Sequence, residues 1–241
     1  MVTLTSKRGP LKVWCCGDLH IGAETHDALL FARHYARAVV EGWLMINLGD
    51  SLELVTPSSR VAQRGALREQ TMTVEQQRKV LCQYLRGLAG GILLPGNHDY
   101  RVDMATGLDF TAMMAELAGP KWQVLPHAGF VRLNAGKQSY TAYCHHGEGP
   151  VVSPTSLFDR LQRDTGDLDL ILAGHIHAGT FDPAFRMTPE GGKVVHRIRT
   201  GHYLKPPRYA LDRPISRIGP CGSWLLTFDA KHHLIESTWL Q

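Results

Sequence analysis

The chain has 241 residues, 44% of them apolar and 20% charged, with a formal net charge of +4. That length supports one large core and forces no second domain, and the composition is that of a soluble globular protein, neither collagen-like nor disordered. The small positive charge suits an anionic substrate without requiring nucleic acid. The first eight residues lack the apolar segment of a signal peptide, and no apolar run approaches the ~18 residues that span a bilayer, so a cytoplasmic protein is expected. Five cysteines without C-x-x-C spacing argue against a disulfide framework. The chain carries 13 histidines, and their positions are the question.

In chain order, residues 11–16 form an apolar run ending at Gly17-Asp18, and 28–40 carry apolar residues at helical spacing up to Gly42. The adjacent Cys15 and Cys16 lie in the first strand, where they should face opposite sides. A second strand over 43–48 ends at Gly49-Asp50, and a third over 92–94 ends at Gly96-Asn97-His98-Asp99. Strands alternating with helices predict an α/β core with its ligands at the carboxyl ends of the strands. The second half reads as hairpins: 130–133 with 139–144, 185–187 with 194–198, and 224–228 with 234–239. Between them, 168–173 predicts an apolar strand running into Gly174-His175-Ile176-His177. Two stretches look foreign to a core, a polar insertion at 55–77 and a basic, proline-punctuated loop at 205–217.

Collected, five strand ends deliver Asp18-x-His20, Asp50, Asn97-His98-Asp99, His145-His146 and His175-x-His177. Strand ends of one sheet are spatial neighbours, so one shared site explains all five better than five separate turns. Carboxylates, imidazoles and an amide oxygen, with no thiolate, suit Mn²⁺, Fe²⁺ or Zn²⁺ in open coordination. In an extended strand, residues i and i+2 face one side, which would let both members of Asp18-x-His20 and of His175-x-His177 reach that site.

The ordered set D-x-H, G-D, G-N-H-D, H-G and G-H-x-H, spread over about residues 11–180, resembles the calcineurin-like metallophosphoesterases. The resemblance implies a single domain over 1–241 of α/β class, with two mixed β-sheets packed as a sandwich and flanked by helices. It implies two divalent ions, Mn²⁺ first and Fe²⁺ or Zn²⁺ also suiting. One would be held by Asp18, His20, Asp50 and His177, the other by Asp50, Asn97, His146 and His175. His145 and His146 compete for one ligand position, and the His-Gly adjacency favours His146. His98 would act on the substrate phosphate, with Asp99 orienting its imidazole, and a metal-bridging hydroxide would attack phosphorus.

The implied substrate is a phosphate ester. A diester in a nucleotide or nucleic acid is favoured, because an imidazole acid helps most with a poor alkoxide leaving group. Alternatives are a phosphomonoester or the pyrophosphate bond cleaved by UDP-diacylglucosamine hydrolases, which usually carry Arg where this chain has His98. A non-catalytic scaffold would show a lost ligand, and none is missing. A nuclease-complex subunit would use 55–77 or 205–217 to dock. Glu53 and Glu148 are candidates for supporting or substrate-facing roles and equally suit solvated loops. His202 reads as surface or core, and His232-His233 as an exposed, inert turn. Arg60, Arg64, Arg68, Arg199, Lys205, Arg208, Arg213 and Arg217 are candidate phosphate contacts.

Overall fold

The computed structural model describes residues 1–57, 69–147, 154–188, 191–205 and 219–241. Its strands are β1 (Val2–Ser6), β2 (Leu11–Cys16), β3 (Leu44–Asn47), β4 (Gly91–Leu93), β5 (Trp122–Val124), β6 (Ala128–Ala135), β7 (Gln138–His145), β8 (Leu170–Ala173), β9 (Thr180–Phe181), β10 (Ala184–Thr188), β11 (Gly191–Arg199), β12 (Ser223–Phe228) and β13 (Ile235–Leu240). The helices are α1 (Ala28–Glu41), α2 (Val74–Gly87), α3 (Asp99–Thr106), α4 (Phe110–Ala118) and α5 (Pro154–Thr165).

Two mixed sheets result. One has the order β13-β12-β2-β3-β4-β5, and the other β1-β6-β7-β8-β11-β10 with β9 also on β11. Strands β2, β3, β4 and β5 are parallel neighbours, as are β7 and β8. Their carboxyl ends therefore lie at common edges, as the alternating pattern of the first half predicts.

The alternation of side chains sorts the core into layers. Val13, Cys15, Ile46 and Ile92 of the first sheet meet Val131, Leu133, Ala142, Leu172 and Ile198 of the second. Trp14, Cys16, Met45 and Leu93 point the other way and pack under Phe31 of α1, Leu81 and Leu85 of α2 and Met114 of α4. Leu157, Phe158 and Leu161 of α5 cover Ile171 and Ala173 on the outer face of the second sheet. The adjacent thiols thus enter opposite layers.

Local chemistry sets the helix ends. Asp27 accepts from Leu30 N–H at 3.1 Å to start α1, and Gly42 at φ 67° stops it. Thr73 and Gln76 form a reciprocal cap on α2. That helix corrects the polar insertion at 55–77, whose last residues belong to α2 and the core. Gln77 is fully buried, accepting from Leu54 N–H and donating to the Met72 carbonyl. A buried amide with both ends satisfied looks polar in sequence although it behaves as core. Arg60, Arg64, Arg68, Glu148, Arg208, Arg213 and Arg217 lie outside the described residues, as does nearly all of 205–217.

Candidate metal centre at the strand ends

Backbone bonds stitch the strand ends together. Asp18 N–H donates to the Gly49 carbonyl and His20 N–H to the Asp50 carbonyl, both at 3.0 Å. Within the second sheet, Gly174 N–H donates to the His146 carbonyl at 2.9 Å, and across the sandwich His175 N–H donates to Asp18 Oδ2 at 2.9 Å. His98 N–H donates to Asp50 Oδ1 at 2.8 Å. Both sheets therefore contribute to one site.

Asp18, His20, Asp50 and His175 adopt φ of 51°, 48°, 51° and 70°. Non-glycine residues rarely take this left-handed conformation, and each such residue costs about 1–3 kcal/mol unless its surroundings enforce it. The pairs Asp18-x-His20 and His175-x-His177 do converge, but through left-handed turns instead of the extended strand expected from i, i+2 spacing. The strand has already ended at Cys16 and at Ala173.

Glycines make room for this crowding. A Cβ on Gly49, itself at φ 98°, would lie 2.6 Å from Gly96 N and 2.7 Å from His146 Nδ1. One on Gly96 would collide with the Asp50 carboxylate and backbone.

Side chains from these strand ends gather into overlapping groups. Asp18 Oδ1 lies 3.5 Å from His177 Nε2 and 4.0 Å from His20 Nε2. Asp50 Oδ2 lies 3.5 Å from His146 Nε2 and 4.0 Å from His20 Nε2. Asn97 Oδ1 lies 2.9 Å from His175 Nδ1 and 3.2 Å from His146 Nε2. Asp18, His20 and His177 can converge on one cation, Asp50, His146 and His175 on another, and His20, Glu53 and His98 form a third such group that shares His20 with the first. His146, not His145, takes the inward position, with its Nδ1 on the Leu48 carbonyl at 2.5 Å.

The donor set fits divalent metal ions. Asp18 Oδ1 and His20 Nε2 are buried and have no hydrogen-bond partner, which is costly for a carboxylate oxygen and a ring nitrogen that face each other unbridged. Burial opposes ionisation of Asp18 and Asp50, yet His177 beside the first and His146 beside the second hold both below the usual carboxylate range. Burial likewise opposes protonation of His146, but its contact with Asp50 raises it to about 9.

Glu53 is an organising residue of the site. Its Oε2 lies 2.9 Å from His20 Nδ1 and 3.6 Å from His98 Nδ1, and its carbonyl accepts from His98 Nδ1 at 2.8 Å. That bond places the proton of neutral His98 on Nδ1 and turns Nε2 toward Asp50 Oδ2, 3.9 Å away. Burial, followed by the nearby His20, pushes His98 down to about 4.

The expected partnership of Asp99 with the His98 imidazole is corrected. Asp99 Oδ2 accepts from Gly96 N–H at 2.7 Å and from Asp50 N–H at 3.3 Å. Residue 99 opens α3, so its side chain turns back under the loop that precedes it. Burial and the neighbouring Asp50 raise this carboxyl to about 7.

Other expectations resolve individually. His202 is fully buried 5.2 Å from the His177 ring, with Nε2 on the Gly219 carbonyl and Nδ1 accepting from Leu204 N–H. Both ring nitrogens are committed to backbone, which makes it a packing residue. Arg199 is 1% exposed and presents no guanidinium to solvent, while Lys205 lies 3.6 Å from Asp27. His233 is not an inert turn residue. It stacks on Tyr140 at 4.4 Å and pairs with Asp169 at 2.9 Å. Arg101, two residues past Asp99, carries no motif signal, yet its Nη atoms lie 2.9 and 2.8 Å from the two nitrogens of His98.

Comparison with curated protein sequences gives no match. Among solved structures, Vps29 from Entamoeba histolytica carrying a single mutation is 12% identical, with TM-score 0.48 over 95% of this chain and 98% of that one. A metallophosphoesterase from Sphaerobacter thermophilus is 17% identical, with TM-score 0.43 over 96% of this chain and 88% of that one. Vps29 from Cryptosporidium parvum is 14% identical, with TM-score 0.45 over 96% and 97%. The calcineurin-like phosphoesterase family matches residues 11–179, the span that holds all five strand-end motifs. The chain belongs to the calcineurin-like phosphoesterase family and is a metal-dependent phosphoesterase.

Proposed function

We propose that the protein is a dinuclear phosphodiesterase acting on a nucleotide or nucleic acid in the cytoplasm. Asp18, His20, Asp50 and His177 would hold one divalent ion, and Asp50, Asn97, His146 and His175 the other, with Mn²⁺ the favoured metal. The observation that carries this reading is the position of Asp50, whose Oδ2 lies within 4.0 Å of ring nitrogens from both groups. Ions held there supply Lewis acidity and lower the pKa of water.

The chain's own residues do the rest. Asp50 sets the spacing of the two groups and, through Oδ1, fixes the backbone of His98. Glu53 orients His20 and His98 together. His98 Nε2, protonated when the substrate's anionic phosphate lies beside it, would donate to the leaving oxygen, which matters most for an alkoxide leaving group and favours a diester. No ligand position of the family pattern is lost, which weighs against a non-catalytic scaffold.

The test is turnover of bis-p-nitrophenyl phosphate against p-nitrophenyl phosphate by chelator-stripped protein with Mn²⁺ restored. Faster diester cleavage is expected. Faster monoester cleavage would replace the reading with a phosphomonoesterase, and no metal-dependent cleavage of either would remove it.

A further inference from the structure

Arg101 stands beside the reacting centre, 3.7 Å from the Glu53 carboxylate. Its Nη1 donates to the Glu53 carbonyl at 2.9 Å, and its Nη1 and Nη2 lie 2.9 and 2.8 Å from His98 Nδ1 and Nε2. The two ring nitrogens point their in-plane directions apart, so one guanidinium cannot make well-aligned bonds to both. This leaves Nη2 at the same edge as His98 Nε2, the edge turned to Asp50. The Arg101 side chain is only 18% exposed, and its carboxylate neighbour is Glu53 Oε1 at 3.7 Å. That carboxylate is already engaged by His20 at 2.9 Å. A partly buried cation that shares its near carboxylate and keeps N–H groups to spare beside a phosphoryl site is placed to take a further anion.

We infer that Arg101 binds a non-bridging oxygen of the substrate phosphate, through Nη2, alongside His98. The inference rests on the phosphoesterase reading of this site. It assigns to Arg101 substrate affinity in addition to the support it gives His98. Planar forked donors match phosphate oxygens better than an ammonium does, so lysine is an incomplete replacement.

The experiment is titration of inorganic phosphate into Mn²⁺-loaded wild-type, Arg101→Ala and Arg101→Lys protein, with metal content measured on each. Steady-state KM and kcat on bis-p-nitrophenyl phosphate are measured in parallel. Loss of one charged contact should weaken phosphate binding about tenfold or more in Arg101→Ala, with Arg101→Lys between, and KM should rise with it at unchanged metal content. Equal phosphate affinity in all three proteins overturns the inference, even if kcat falls, because Arg101 would then act only through His98. Absence of phosphate binding by the wild type also overturns it. Should Arg101→Ala fail to fold, Arg101→Lys decides: unchanged affinity overturns the inference, and a loss of about threefold or more upholds it. Phosphate binding that needs Arg101 in a protein with no diester turnover would defeat the diesterase reading alone.

Discussion

Glu53 Oε2 lies 2.9 Å from His20 Nδ1, on the side of the ring away from the nitrogen that faces Asp18 and Asp50. Burial opposes protonation of His20, but this hydrogen bond and the nearby carboxylates raise its pKa. A carboxylate behind a ligating imidazole fixes its tautomer and strengthens it as a donor. Glu53→Gln is therefore expected to bind Mn²⁺ about 10–100-fold more weakly with its fold intact. Calorimetric titration checks this, and unchanged affinity would show that the contact is incidental.

Asp99 gives a contrasting case. Its carboxylate serves the backbone of Gly96 and Asp50, not the His98 ring. Asp99→Ala leaves those buried donors unsatisfied and should cost about 1–3 kcal/mol of stability. Asp99→Asn can keep an acceptor oxygen there and should retain most of both stability and kcat. A large fall in kcat for Asp99→Asn at normal thermal stability would restore the orienting role.

Metal binding should release protons. His146 in the metal-free protein is raised to about 9 by Asp50, against the opposing effect of burial, so it is largely protonated at pH 7 and must lose its proton to ligate. Affinity should then rise with pH between 6 and about 9. Titrations in buffers of different ionisation enthalpy give the count, about one proton or more per chain at pH 7. No proton release would mean that His146 does not bind the ion.

A stability device sits away from the metal centre. Asp169 accepts from Thr141 N–H at 2.7 Å and pairs with His233 at 2.9 Å and Lys193 at 3.3 Å. Burial alone would raise this carboxyl, but the His233 bond and its companions hold it below its ordinary value. Its contribution is therefore present above the unfolded carboxylate pKa and lost as pH falls through the depressed folded value. Asp169→Asn should cost about 1–2 kcal/mol near pH 7, and the gap from wild type should close toward pH 3. Chemical denaturation at both pH values tests this, and a gap independent of pH would contradict it.

Much of the molecule is legible in the sequence because two periodicities dominate it. The runs ending at Asp18, Asp50 and Asn97 are strands buried on both faces, and Gly42 ends α1 as a left-handed cap should. What escapes is what needs the third dimension. Gln77 reads as part of a polar insertion because a satisfied buried amide has no local signature. The left-handed backbone at Asp18, His20, Asp50 and His175 is imposed by bonds across strands and sheets, so i, i+2 spacing gives the right convergence for the wrong local reason. Arg101 lies two residues past the motif, in the first turn of α3, where its approach to His98 depends on the angle at which α3 leaves the site.

Asp50 is the residue proposed to join the two ion positions. The most direct measurement is bound Mn²⁺ per chain, by elemental analysis after gel filtration, for wild type and Asp50→Ala. About two ions are expected for the wild type, and loss of both, with turnover, in the variant. Retention of full metal content by Asp50→Ala would contradict that role.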